Sequence, residues 1–533
     1  MRTALYDGRV SRRRFLKMLG AGAALPSLAG LIGPLDPVGG TEPPNVLYAA
    51  APQHVAWTHL PRWRGFNLLE KFRANVPERD RPYEEWDFDV IAEWGFDFVR
   101  LPLDYRIWTI SPGVYKEEPL REIDQAVSWA QARGIHVNVA FHWAPGYRVG
   151  LPRGREPFDL WGDDPASDEA RRQFAAQWRM FAQRYRGIPP EQLSFNLVNE
   201  PPNISGAKYF MVAAAAVEAI RTEDPARLII ADGSATAGRP VPELNRLRVG
   251  QSTRGYAPFS LTHYRASWAA GSNQWPVPTW PMVLINPYLY GEMKTALQSP
   301  LILRVSIPEA VSLIIRVNVV TTQATLRVRT DGATAFEKSF MPGPGQGEWK
   351  ESKYSSQWGS YQAVYDREYE ARVPAGIREI AIEITSGDWM TISEVRLGPF
   401  SRPPQEIILR PNDQTWGVKQ GEVIVNPDGT LSGGRIYDRA RLWADLEPWR
   451  KFAESGVGVH VGEWGAYNQT PHDVTLAWMT DYLDNLKRVG FGWALWQLRG
   501  DFGVMDSGRS DVAYESFRGH KLDRKMLEIL LRA

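Results

Sequence analysis

The sequence predicts an α/β chain: a (β/α)8 TIM barrel with a β-sandwich inserted after strand six. Three observations lead there. Short apolar runs alternate with longer amphipathic ones from the start of the folded region, the alternation stops near Pro287, and it resumes further on. Strands that are apolar on both faces and separated by helices belong to a parallel sheet. Between the two stretches, LILRVSIP, SLIIRVNVV, ATLRVRT, EIAIEIT and MTISEVRL are short, largely alternating runs parted by turn formers such as Asp331-Gly332. Such runs read as an antiparallel sandwich with one wet face.

In chain order, the strand-like runs are Gly65-Phe66-Asn67-Leu68, Phe98 to Leu101, His136 to Phe141, Leu193 to Asn199 and Leu228 to Ala231. The helix-like stretches between them are Pro82 to Trp94, Leu120 to Arg133, Ser167 to Tyr185 and Lys208 to Thr222; in the second, Ile123, Val127 and Ala130 recur at helical spacing. A sixth strand is expected near Ser260-Leu261-Thr262, before the insert. After the insert come a helix over Arg439 to Ser455, a strand over Gly458 to Glu463 and a helix over Asp473 to Val489. A strand over Gly492 to Gln497 and a last helix over Lys521 to Leu531 follow. The count closes at eight units. The expected domains are a leader (1–45), the first barrel segment (46–290), the sandwich (291–415) and the second barrel segment (416–533).

The bulk numbers narrow the function. The 533 residues carry 62 Lys+Arg against 61 Asp+Glu, a net charge of +1. Neither a nucleic-acid partner nor a charged membrane surface is suggested by that balance. Cysteine is absent, which excludes disulfides and thiolate metal sites. No His/Asp/Glu spacing suggests a metal site and no Gly-rich loop suggests a phosphate, so no cofactor is expected. The 22 Trp, 20 Tyr and 20 Phe fill cores, and they also suit flat apolar ligand faces such as sugar rings.

At the N-terminus, Ser11-Arg12-Arg13-Arg14-Phe15-Leu16-Lys17 precedes an apolar, small-residue stretch from Met18 to Ile32. A charged region followed by a short apolar one is a secretory signal, and the paired arginines resemble the bacterial twin-arginine export motif. Export to the periplasm or beyond is expected, with cleavage at Ala29 or in Ala49-Ala50-Ala51 as alternatives. No run is apolar enough for a membrane span in the mature chain.

In a barrel of this kind, chemistry sits where the strands end. Arg100, His142, Asn199-Glu200 and Glu463 all fall at strand ends. The stretch Phe195 to Asn203 (FNLVNEPPN) carries an apolar run straight into a carboxylate, which is costly unless something meets the charge there. Glu463 arrives from strand seven. Two carboxylates across one groove divide the work: one holds a proton for a leaving oxygen, the other stays ionised and attacks or activates water.

These residues, taken in order, resemble glycoside hydrolase family 5, the cellulase family of retaining barrel glycosidases. The matching stretches are Arg64 to Leu68, Gly95 to Pro102, His142, Asn199-Glu200-Pro201, Gly462-Glu463-Trp464-Gly465, Trp493 and Trp496. The resemblance covers roughly Trp63 to Tyr290 and Trp416 to Ala533. It implies Glu200 as acid/base and Glu463 as the nucleophile of a double displacement, with carboxyls about 5 Å apart. It further implies that Asn199 holds the sugar 2-hydroxyl, Arg100 keeps Glu463 ionised, His142 lines the subsite and Trp496 is the floor on which the sugar stacks.

Strand six departs from the family's His-x-Tyr. Either His263-Tyr264-Arg265 supplies the histidine, or Arg254-Gly255-Tyr256 keeps the tyrosine. The second is preferred, which puts Tyr256 at the nucleophile and His263 in the cleft. Asp501, Asp506 and Asp511, with Arg509, read as solvated loop charges or contacts to substrate hydroxyls. The insert resembles a carbohydrate-binding module, with Trp349, Trp358 and Trp389 forming either a stacking platform or its core. The substrate implied is a β-linked glucan or mannan-type polysaccharide or oligosaccharide. An exo-acting β-glycosidase on short glycans and a non-catalytic glycan binder are the alternatives.

Overall fold

The computed structural model describes residues 55–150 and 159–533. The leader, with its twin-arginine motif and both cleavage alternatives, lies outside the described residues. Strands β1 (Arg64–Asn67), β2 (Phe98–Asp104), β3 (His136–Ala144), β4 (Leu193–Asn196), β5 (Leu228–Asp232) and β6 (Gly250–Gly255) come first. Helices α1 (Glu85–Glu93), α2 (Glu117–Ala132), α3 (Pro165–Arg184) and α4 (Gly206–Glu223) alternate with the first five.

A second sheet follows. Its main strands are β7 (Leu301–Arg304), β8 (Val311–Thr330), β9 (Ala333–Phe340), β10 (Ser360–Val373), β11 (Glu379–Gly398) and β12 (Glu422–Val425). The chain then returns through α5 (Arg439–Asp445), α6 (Glu447–Glu454), β13 (Val459–Trp464), α7 (His472–Val489), β14 (Gly492–Leu495) and α8 (Arg524–Arg532).

β1 through β6, β13 and β14 pair in parallel in that order, and β14 closes on β1 with Arg64 opposite Trp493. The result is the closed eight-stranded barrel that the alternation predicts. Strand period two divides each strand between two environments. Phe66, Val99, Leu101, Val139, Phe195 and Ile229 join the large core under the helices. Their neighbours Asn67, Arg100, Asn138 and Asn196 are buried as well. The bonds that Arg100 makes to β1, β4 and β13 run across the barrel interior. The far end is plugged by Leu60, Trp63, Phe98, Leu228, Ile230 and Ala494, with Trp63 stacked on His136 at 3.7 Å. An apolar plug below a polar mouth directs the chemistry to the strands' carboxyl ends.

β8 and β11 run antiparallel over 20 residues each, with several register shifts that let so long a pair bend. Leu313, Ile315 and Val317 are buried while Ser312, Ile314 and Arg316 between them are half-exposed, the one-wet-face pattern. This sheet has a core of its own.

Three expectations need correction. The sixth barrel strand is Gly250–Gly255, whereas Phe259–Thr262 is a single helical turn. GQSTRG contains no apolar run; it is buried because its polar side chains are paired inside the barrel. The helix expected over Arg439 to Ser455 is two helices meeting at Leu446, because Pro448 has no N–H to donate into the preceding turn. The last helix begins at Arg524, since Lys521 belongs to a short antiparallel hairpin.

Gly65 sits where β1 and β2 approach most closely: a Cβ there would stand 1.7 Å from the carbonyl oxygen of Phe98. Gly65→Ala is expected to cost about 1–3 kcal/mol of stability or more, read as a lower denaturant midpoint, because backbone on one side of the contact has to move.

Candidate active site

Arg100 stands fully buried at the centre of the mouth. Its Nε and Nη2 donate to Asn196 Oδ1 (3.1 and 3.0 Å), and Nη2 also donates to Asn199 Oδ1 (2.9 Å). Nη1 donates to Asn67 Oδ1 (3.0 Å) and Glu463 Oε1 (2.6 Å). Asn67 Nδ2 in turn donates to the carbonyl of Gly462 (3.0 Å), tying β1 to β13. Every N–H of this guanidinium thus meets a protein acceptor.

Arg254 on β6 is the second hub. Its Nε donates to Glu200 Oε1 (3.1 Å), and its Nη2 donates to Asn199 Oδ1 (2.7 Å) and to Asp232 Oδ2. Nη2 also lies 3.3 Å from Glu463 Oε1, so both glutamates contact one guanidinium. Since both arginines donate to Asn199 Oδ1, the amide can have only one orientation. Its Nδ2 is left buried without a hydrogen-bond partner.

Glu200 holds a left-handed backbone, φ +48°, which costs of order 1–3 kcal/mol for a residue with a Cβ. Two bonds hold it there: its N–H donates to Asp232 Oδ2 (2.9 Å), and its carbonyl accepts from the Tyr147 hydroxyl. Glu463 is turned inward by a β-bulge, where the register of β13 against β6 and β14 shifts between Val461 and Glu463 or Trp464. Without it, Glu463 would share the outward face of Val461, which packs in the helix-side core. Gly462 makes the bulge possible: a Cβ there would meet Ser252 Oγ at 2.6 Å and Arg254 Nη1 at 3.0 Å. The Tyr256 hydroxyl donates to Glu463 Oε2 (3.3 Å).

Burial, and after it the charge of Glu463, pushes the Glu200 carboxyl up to about 8. Burial drives His142 well below the usual imidazole range, reinforced by Arg100 and Arg254, and brings His263 down to about 4, so both rings are neutral near pH 7. Burial raises the Tyr256 hydroxyl well above its ordinary value, with Glu463 adding to the effect. Glu200 keeps 15% of its side chain exposed against 4% for Glu463, so it is the more accessible of the two carboxyls.

Aromatic rings flank the carboxylates. On one side His142 lies against Phe72 (4.4 Å) and Trp496 (5.7 Å, stacked), and its Nδ1 is buried without a partner. On the other, Tyr256 meets His263 at 5.1 Å and Phe502 at 6.2 Å, and Trp268, 58% exposed, meets Tyr467 edge-on at 4.8 Å. His263 therefore joins this wall, bonded to Thr262 and stacked on Phe259.

The late acidic residues have other partners. Asp506 pairs with His520, Asp511 accepts from the backbone of His472, and Asp501 accepts from Asn468. Arg509 is buried on the carbonyls of Thr470 and Ala466, inside the fold and away from solvent. The three sandwich tryptophans go to three surroundings: Trp349 edge-on to Tyr365, Trp358 in an exposed hairpin, and Trp389 against Tyr288 and Trp416. Among the described residues no group of three His, Cys, Asp or Glu could hold a metal, and no helix is long and apolar enough to cross a membrane.

Sequence reasoning missed Asn67, Asn196, Tyr147 and Asp232, and it met Arg254 only as an anomaly. Asp232 carried the same signal as Glu200, a charge ending an apolar run.

The family model described as Cellulase (glycosyl hydrolase family 5) matches residues 62–274. This stretch is a glycosyl hydrolase family 5 domain. The match spans β1 through β6, including Arg100, Asn199, Glu200, Arg254 and Tyr256. The chain is 30% identical over 191 residues to endoglucanase C of Acetivibrio thermocellus, covering 35% of this chain and 53% of that protein. It is 30% identical over 195 residues to cellodextrinase A of Ruminococcus flavefaciens, covering 36% of this chain and 56% of that protein. The chain spans about half the length of these relatives. A solved structure titled as a glycoside hydrolase is 26% identical, with TM-score 0.56 over 88% of this chain and 99% of the other.

Removing Arg100 strands Glu463 in a buried site. Arg100→Gln is expected to lose about 3–5 kcal/mol of stability, read from chemical denaturation, far beyond the effect of changing an exposed ion pair.

Proposed function

We propose that the protein is a retaining glycoside hydrolase that cleaves β-linked glucan or mannan-type chains by double displacement. The observation that carries this reading is the convergence of Glu200 from β4 and Glu463 from β13 on one guanidinium, with Glu200 the carboxyl pushed up to about 8. In the first step Glu463 attacks the anomeric carbon, the bond to the leaving oxygen breaks, and the proton of Glu200 passes to that oxygen. In the second, Glu200 takes a proton from water, the water oxygen bonds to the anomeric carbon, and Glu463 leaves as carboxylate. Asn199 Nδ2, without a protein partner, donates to the sugar 2-hydroxyl, and that bond strengthens as the ring gains positive charge. His142 and Trp496 flank the reacting sugar, and Arg100 holds the nucleophile.

The wall from Tyr256 through Phe502 and Tyr467 to the exposed Trp268 suits a chain of several sugars more than a closed pocket for one. A hydrogen bond from Ser260 Oγ to the Asn412 carbonyl (3.5 Å) joins the loop behind this wall to the segment between β11 and β12 of the second sheet. The inserted sheet, as a carbohydrate-binding-module-like domain, extends that side of the groove. The twin-arginine motif supports export, which meets polysaccharide outside the cytoplasm. A glycan-binding protein without turnover would have no use for two facing carboxylates.

The products decide between the readings. Glu463→Gln is expected to abolish turnover while keeping glycan binding. Proton NMR of fresh products is expected to show the β anomer first, and kcat/KM to fall as pH rises through about 8, where Glu200 loses its proton. An α anomer first, or a wild type inactive on glucan, mannan and aryl β-glycosides alike, would sink the proposal.

A further inference from the structure

The bonding of Arg254 limits what it can do. The contacts to Glu200, Asn199 and Asp232 use Nε and both hydrogens of Nη2. The two hydrogens of Nη1 go to Ser252 Oγ (3.2 Å) and the Thr253 carbonyl (3.1 Å). A guanidinium has five N–H donors, and all five are taken by protein. Arg254 therefore has nothing left to offer a sugar hydroxyl. Its side chain is only 5% exposed. It acts through its neighbours.

A fixed cation beside a general acid poses a problem, because it favours the ionised form and would strip the proton that catalysis needs. Asp232 answers it. This side chain is fully buried at the end of β5; Oδ2 receives Arg254 and the Glu200 N–H, while Oδ1 receives Asn196 Nδ2 (3.1 Å). The groups facing Glu200 are Arg254 from β6, Asp232 from β5, Glu463 from β13 and the Tyr147 hydroxyl after β3, with Arg100 of β2 one step away through Asn199. Two permanent cations thus face three carboxyls, and the cluster is neutral when one proton is held. Two donors converge on Glu463, from Arg100 and Tyr256, with the Arg254 guanidinium a further contact at 3.3 Å, and three converge on Asp232. The Glu200 side chain receives one, at Oε1. The balancing proton therefore belongs to Glu200, and since Oε1 already accepts from Arg254, it sits on Oε2.

We infer that Asp232 and Arg254 are a positioning pair: Arg254 fixes which oxygen of Glu200 carries the proton, and Asp232 cancels the charge that would otherwise expel it. The inference rests on the reading of Glu200 as the acid, and the test separates the two. In the first step the pair acts through leaving-group protonation, so its signature in kcat/KM, which reports that step, is a contrast between aryl β-glycosides with poor and with good leaving groups.

In Asp232→Asn the cation is unbalanced. The alkaline limb of kcat/KM is expected to move down by about one pH unit, roughly a tenfold loss above the new limb on the poor leaving group. The loss on the good one should be smaller. Arg254→Lys keeps the charge but loses the Nε bond: its alkaline limb should stay near wild type while kcat on the poor leaving group falls at least about tenfold. This second variant carries the test if Asp232→Asn does not fold. An unmoved limb in folded Asp232→Asn, or an Arg254→Lys enzyme whose rates match wild type on both leaving groups, overturns the pair's role. The underlying reading fails separately if Glu200→Ala lowers kcat/KM equally for both classes of substrate.

Discussion

Two buried guanidinium groups, Arg100 and Arg254, set the geometry of the barrel mouth, and little there is independent of them. Each donates to Asn199 Oδ1 and each contacts Glu463 Oε1, so β2, β4, β6 and β13 are joined through two planar forks. Planarity matters, because a fork with fixed donor directions dictates where its acceptors stand in a way that a lysine ammonium could not. The cost is desolvation: burying a cation is unfavourable by several kcal/mol, and only complete pairing offsets it. Complete pairing is what both side chains have.

That constraint explains why the mouth is built from amides as much as from acids. Asn67, Asn196 and Asn199 take the donors that carboxylates would otherwise have to take. More carboxylates would have left the cluster with surplus negative charge, and fewer acceptors would have left N–H groups unpaired at about 1–3 kcal/mol each. An asparagine accepts from a cation without carrying charge. The side chain whose donor is left over, Asn199 through Nδ2, is the one best placed to show that donor to a ligand.

Most of the barrel was legible because burial on both faces of a parallel strand leaves an apolar run. β2 through β5 were readable for that reason. β6 was not, since Gly250–Gly255 owes its burial to pairings with residues far away in sequence, and no local pattern records these. The same limit hid Asp232 and Asn196, whose roles depend on what β6 brings opposite them. Glu200 and Glu463 were readable because a resemblance spanned several strand ends at once. The bulge that turns Glu463 inward left only Gly462 as a trace. In the second sheet the strand pattern was plain, but the tryptophans were not: sequence spacing does not tell which face of a bent, 20-residue strand a ring takes, and Trp389 ended beside Trp416, well outside the run that contains it.

The arginine on β6 and the aspartate that ends β5 are electrostatically linked. A permanent cation at 3.1 Å from the Glu200 carboxyl lowers its proton affinity. One strand away, β5 ends on a carboxylate that reaches both the guanidinium and the Glu200 backbone and balances that cation. The cation and its counter-charge are therefore one feature, lying on neighbouring parallel strands whose register brings Asp232 beside Ser252, two residues before Arg254.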